Sequence, residues 1–187
     1  MPMLNENLRK IILSSAARNT VIYHCARKLK EEYFENETPE KKAYGLLGGK
    51  IVGSTVQIEH AQPLYKNLRS SAEYRAYMDD ILEKYAESSE TPLARRGWVA
   101  NPYEVKSMSD QLITQGLQLV GTYHMHRVAW ENDLTRELPT TLDKALAEQS
   151  DLFGFIVSAV NPKKMIIRAF YESCPDREIE ITTRSEA

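Results

Sequence analysis

The sequence predicts an α/β fold in one layered domain, and three observations carry that prediction. Short apolar runs of strand character alternate along the chain with longer segments of helical periodicity. A glycine-punctuated hairpin pattern sits between the first two helical segments. At 187 residues the chain is long enough to bury a core without disulfide or metal staples. Residues 1–187 are therefore read as a single domain, with an inserted helical segment at about 64–98.

The elements follow in order. Ile11, Ile12 and Leu13 form a short apolar run between Arg9 and Ser14, a first strand. A helix is predicted over Arg18 to Tyr33, where Val21, Ile22, Cys25, Ala26, Leu29 and Tyr33 recur at helical spacing. Asn36 to Pro39 reads as a loop. Tyr44 to Val52 and Thr55 to His60 form a hairpin around Gly53-Ser54, and Gln62-Pro63 is expected to end it. Ala72 to Glu90 reads as a tyrosine-rich helix and Pro102 to Gln115 as another, stopped by Gly116. Leu117 to His126 is a central strand, Thr140 to Gln149 a short helix, and Leu152 to Val160 pairs with Met165 to Tyr171 around Asn161-Pro162. Glu178 to Thr182 alternates as a last strand.

Hydrophobic residues make up 42% of the chain and charged residues 27%, a globular balance. The net charge of −2 gives no whole-chain field toward nucleic acid or membrane. The two cysteines, Cys25 and Cys174, form neither a disulfide framework nor a metal knuckle. No secretory signal and no apolar run of membrane-spanning length stands out. These features predict a reduced, soluble, cytoplasmic protein with no nucleic-acid or membrane partner.

The chemistry concentrates in His124-Met125-His126. On a strand, residues i and i+2 face the same way, so both imidazoles project together and can share one metal ion. Downstream, Thr140 is a helix N-cap candidate with Asp143 three residues on, in the first turn, where the helix dipole keeps a carboxylate ionised. Two histidines and one aspartate leave a tetrahedral metal one open position, the mark of a catalytic site. Asp133, in the stretch Val128 to Glu137, is an alternative third ligand.

These motifs resemble those of the JAMM, or MPN-plus (JAB-domain), metallopeptidases in their prokaryotic form. Val120-Gly121-Thr122-Tyr123-His124-Met125-His126 is similar to the family's apolar strand into H-x-H. Pro139-Thr140-Thr141-Leu142-Asp143 resembles its P-S-x-x-D, and Gly45-Leu46-Leu47-Gly48-Gly49 its upstream G-L-x-x-G strand. The resemblance spans about Ile11 to Tyr171. It implies a cytidine-deaminase-like fold, a mixed β-sheet flanked by helices. It implies one divalent ion, zinc, on His124, His126 and Asp143, with Thr140 at the position of the serine that helps hold the oxyanion. It further implies a peptidase or isopeptidase acting on a protein or peptide, such as a ubiquitin-like partner. The alternative is an inactive domain of the same kind that binds a protein, as a homodimer or a subunit of a complex.

The sequence departs from that family at named places. The family's catalytic glutamate lies three residues before the first glycine of G-L-x-x-G, and counting back from Gly45 lands on Lys42. A lysine ammonium cannot accept a proton at neutral pH. Glu40 is the substitute base candidate and Glu37 lies further upstream. The interval from His126 to Asp143 is longer than usual, and Val128 to Glu137 is expected to form a flap over the site. Arg127 stands where proline is usual. Gly45 to Lys50 is not a phosphate loop, because Ile51 follows the lysine. His24 is expected at the surface or its boundary, and Cys25 in the core.

Overall fold

The computed structural model describes residues 8–184, so residues 1–7 and 185–187 of the expected single domain lie outside the described residues. Seven strands are present among the described residues: β1 (Lys10–Ser14), β2 (Tyr44–Val52), β3 (Thr55–Leu64), β4 (Gln118–His126), β5 (Phe153–Ser158), β6 (Ile166–Tyr171) and β7 (Glu178–Arg184). The α-helices among the described residues are α1 (Ser15–Leu29), α2 (Arg75–Tyr85), α3 (Pro102–Thr114) and α4 (Thr141–Ala147), with a 3₁₀ turn at Leu93–Arg95.

The strands form a closed, mixed barrel in the order β1-β3-β2-β4-β5-β6-β7. This corrects the expected fold, a mixed sheet flanked by helices of the cytidine-deaminase-like type. Closure rests on β1, which pairs in parallel with β3 on one edge and with β7 on the other. A barrel has no free sheet edge. A five-residue run such as Lys10–Ser14 reads the same whether it lies at an edge or inside a ring, so closure is not written in it.

Most element boundaries follow local chemistry. Helix α1 begins three residues before the predicted start, because Ser14 accepts a hydrogen bond from the Ala17 amide at 3.1 Å and caps it. It ends at Leu29, with Glu31 beyond in a left-handed conformation at φ 61°. Strand β3 continues through Gln62-Pro63 to Leu64, past its predicted end. Its pairing with β1 covers Thr55–Ile58, so Pro63 lies where only β2 is the neighbour, and a missing N–H is tolerated there. Helix α2 covers only Arg75–Tyr85 of the predicted Ala72 to Glu90.

The core lies inside the barrel and beneath α1. Ile11, Leu13, Val56, Ile58, Tyr123, Phe155 and Val157 fill it, joined by Val21 and Cys25 from the helix. Strand β5 is buried along its whole length, as its unbroken apolar run requires. Gly45 is required by space: a Cβ there would overlap the Tyr123 ring. Tyr123 and His124 therefore point to opposite sides of β4, one into the core and one into the cleft described next.

Candidate metal centre

His124 and His126 end strand β4, and Asp143 sits in the first turn of α4. The three converge. His124 Nε2 lies 3.0 Å from His126 Nε2 and 3.1 Å from Asp143 Oδ1. His126 Nε2 lies 3.3 Å from Asp143 Oδ2. One ligand atom from each residue falls within 4.8 Å of the others. Ligands bound tetrahedrally at about 2.0–2.1 Å from a zinc ion sit about 3.3 Å apart, so the spacing fits such an ion.

Protonation also suits a cation. His126 Nδ1 is 3.1 Å from the Arg136 carbonyl, which can only accept, so Nδ1 carries the proton and Nε2 presents its lone pair to the centre. Burial pushes the His126 imidazole down, against the pull of Asp143, and keeps it neutral. Burial alone would push the Asp143 carboxyl up, but the neighbouring imidazoles, His124 first, hold it well below the usual range.

Thr140 positions the carboxylate. Its backbone amide and its hydroxyl both donate to Asp143 Oδ2, at 2.7 and 2.8 Å, while the hydroxyl accepts from the Asp143 amide at 3.1 Å. This is a capping box with Asp at the third helical position. The hydroxyl donates its one proton to Asp143, so in this geometry Thr140 holds the carboxylate in place.

The segment Val128 to Glu137 is a braced loop that contributes Val128, Trp130 and Arg136 to the cleft wall. Trp130 and Asp133 pair through backbone hydrogen bonds of 3.0 and 3.1 Å. Asp133 accepts from the Arg136 amide at 2.7 Å, the Arg136 guanidinium covers the Trp130 ring, and Ser158 of β5 donates to the Thr135 carbonyl. Arg136 has φ 54°, an unusual conformation for a long side chain, which turns its carbonyl toward His126. Asp133, the alternative ligand, belongs to this loop and is not among the three convergent residues.

The upstream segment places Lys42, but not Glu40, in the wall of the cleft. Lys42 Nζ donates to the Gly97 carbonyl at 3.0 Å and pairs with Glu40 Oε2 at 2.7 Å. The other Glu40 oxygen accepts from Asn67 at 2.5 Å. Glu37 lies elsewhere, buried with Arg27 and Lys28 in an ion cluster beside α1. His24 joins that cluster at 1% exposure, which corrects its expected surface position.

Two neighbours of the centre were not visible in the sequence. Tyr44, directly opposite His124 in the β2–β4 register, stacks on the imidazole at 6.1 Å between ring centroids, and Trp98 stacks on Tyr44 at 5.8 Å. The only local signal was the position of Tyr44 at the start of β2, and Trp98 gave none because it arrives through a loop. The whole site opens into a cleft of about 480 Å³.

The chain matches no known protein family and no curated protein. It is similar in fold to the solution structure of protein DSY2949 from Desulfitobacterium hafniense, with a TM-score of 0.61 and 21% identity over 94% of each chain.

Proposed function

We propose that the chain is a metal-dependent hydrolase of amide bonds, a peptidase or isopeptidase using the JAMM ligand set on this barrel. The observation that carries the reading is the convergence of two imidazole nitrogens and a carboxylate at spacings of 3.0–3.3 Å. A divalent ion bound there, zinc by its preference for this donor set, would supply Lewis acidity and lower the pKa of water toward ~7. The protein's own residues do the rest. Arg136 orients His126 through its carbonyl, Thr140 fixes Asp143, and Tyr44 limits rotation of His124 from the side. Lys42, at the register of the family's glutamate, faces the cleft, and Glu40, the substitute base of this reading, is paired with it outside the cleft wall. The substrate is a protein or peptide, with a ubiquitin-like protein as one partner class. A cytoplasmic setting belongs to this proposal; among the described residues no helix is long and apolar enough to cross a membrane.

One observation favours a second reading. Asp143 is the lone carboxylate among the described residues lining the cleft, and it belongs to the ligand set. On that reading the chain binds metal and a protein partner, or a second copy, without turnover. The test is metal analysis of the purified chain after zinc reconstitution, followed by assay against a panel of labelled peptides and isopeptide-linked ubiquitin-like conjugates. One zinc per chain with cleavage that EDTA abolishes supports the hydrolase. One zinc without cleavage supports the binding module, and absence of zinc overturns both.

A further inference from the structure

The charge of the cleft wall is unlike that of the whole chain. The net charge is −2, yet the wall carries Lys41, Lys42, Arg95, Arg96, Arg127 and Arg136 against the single carboxylate of Asp143. Three of these cations are balanced from behind: Lys41 by Glu31, Lys42 by Glu40 and Arg136 by Asp133. Arg95 and Arg127 are exposed and make no side-chain ion pair or hydrogen bond among the described residues.

Arg136 is the more telling case. It is 6% exposed, and Asp133 engages its Nη1 alone. Its Nε is buried and has no hydrogen-bond partner. Trp98, which lines the same cleft, likewise has a buried indole N–H without a partner. Buried donors without acceptors are costly, and few native sites retain them without a use. Guanidinium donors on a cleft wall suit planar carboxylates, which they can bind two-pronged.

We propose that the cleft takes a substrate bearing carboxylates beside the scissile bond, an acidic peptide segment, with Arg136, Arg127 and Lys42 reading the acid groups. The inference rests on the hydrolase reading of the same site. A peptide is favoured over a nucleic acid by extent. The cations are confined to a cleft of about 480 Å³, whereas a nucleic-acid footprint needs a basic stripe along the backbone of several nucleotides.

The test uses the full chain stripped of metal by EDTA, so that the probe cannot act through a bound ion. Fluorescein-labelled hexaglutamate, hexaglutamine and hexalysine are titrated by fluorescence anisotropy, and zinc uptake is measured separately on the same preparation. Hexaglutamate should bind more than about tenfold tighter than hexaglutamine, with hexalysine unbound and the preference shrinking as salt rises. Arg127→Gln, at an exposed position, should weaken hexaglutamate several-fold, and Arg136→Gln should do so more strongly. Zinc uptake with no preference for hexaglutamate overturns the acidic-substrate inference and leaves the metal reading standing. Preference for hexaglutamate in a chain that takes up no zinc supports the acidic cleft and overturns the hydrolase. Displacement of the peptide by single-stranded oligothymidylate at lower concentration overturns the peptide in favour of nucleic acid.

Discussion

Thr140 and Asp143 hold each other in both directions: the threonine amide and hydroxyl donate to Asp143 Oδ2, and the Asp143 amide donates back to the same hydroxyl. One pair of residues thereby starts α4 and aims a carboxylate at two imidazoles. Thr140→Ala should therefore lower two quantities together. Stability should fall by about 1 kcal/mol through the lost cap. Zinc affinity should fall by about 10- to 100-fold through the loosened ligand. Thr140→Ser should restore both, read by urea denaturation and by zinc titration against a chromophoric chelator. If Thr140→Ala loses stability but keeps full metal affinity, the hydroxyl is only a cap.

Removing a ligand is the harsher change. Asp143→Asn keeps the shape and a capping oxygen but removes the charge that neutralises the cation and attracts the two imidazoles. Zinc affinity should drop by more than about 100-fold, beyond the loss expected from an outer-shell change. The folded signal in circular dichroism should persist, since the barrel core does not include Asp143. Unchanged zinc uptake by Asp143→Asn would show that the three side chains converge without serving a metal.

Lys42 decides between turnover and mere binding. Its ammonium is tied to the Gly97 carbonyl and to Glu40. Lys42→Glu removes both contacts and sets a second carboxylate beside Glu40, and like-charge neighbours raise carboxyl pKa values toward those of a useful base. If only the base is lacking, zinc-loaded Lys42→Glu should cleave peptide substrate about 10²-fold faster than the native chain. Lys42→Ala should give no gain. A metal-loaded Lys42→Glu protein as slow as the native one points to a proton carrier elsewhere in the cleft or to a non-catalytic chain.

The convergence of His124, His126 and Asp143 was legible because its signals are local. An H-x-H on a strand fixes two side chains by the period of two, and T-x-x-D fixes a third by cap geometry. Barrel closure, the burial of His24 and the stack of Trp98 on Tyr44 were not legible, because each depends on partners far along the chain. The β1–β7 pairing joins Lys10 to Glu180, and His24 meets Tyr123 across 99 residues. The bracing of loop 128–137 was hidden for a related reason. Its sequence places it over the site, but the contacts from Ser158 and between Arg136 and Trp130 that pin it depend on the folded barrel.

The buried cluster beside α1 predicts how the fold responds to acid. Glu37 accepts from Arg27 at 2.5 and 2.9 Å, from Lys28 at 3.1 Å and from the Phe34 amide at 3.1 Å. Burial works to raise its pKa, but these donors, Arg27 foremost, bring it down from 4.5 to about 2. A depressed carboxylate contributes stability that is complete above about pH 4.5 and is lost as pH falls toward 2. His24 acts in the same direction, since burial, with Arg27 adding to it, lowers its pKa from 6.5 to about 4. The unfolded chain therefore takes up the His24 proton first, and stability declines as pH drops from 6.5 through 4. Each shift corresponds to about 3 kcal/mol, and the two are not additive because the groups are neighbours. Glu37→Gln leaves Arg27 and Lys28 buried without their counter-ion and should cost about 3–5 kcal/mol at pH 7. It should also flatten the loss between pH 4.5 and 2, measured by urea denaturation across that range. A Glu37→Gln protein as stable as the native chain at pH 7, with an unchanged acid limb, would show that this cluster does not govern acid stability.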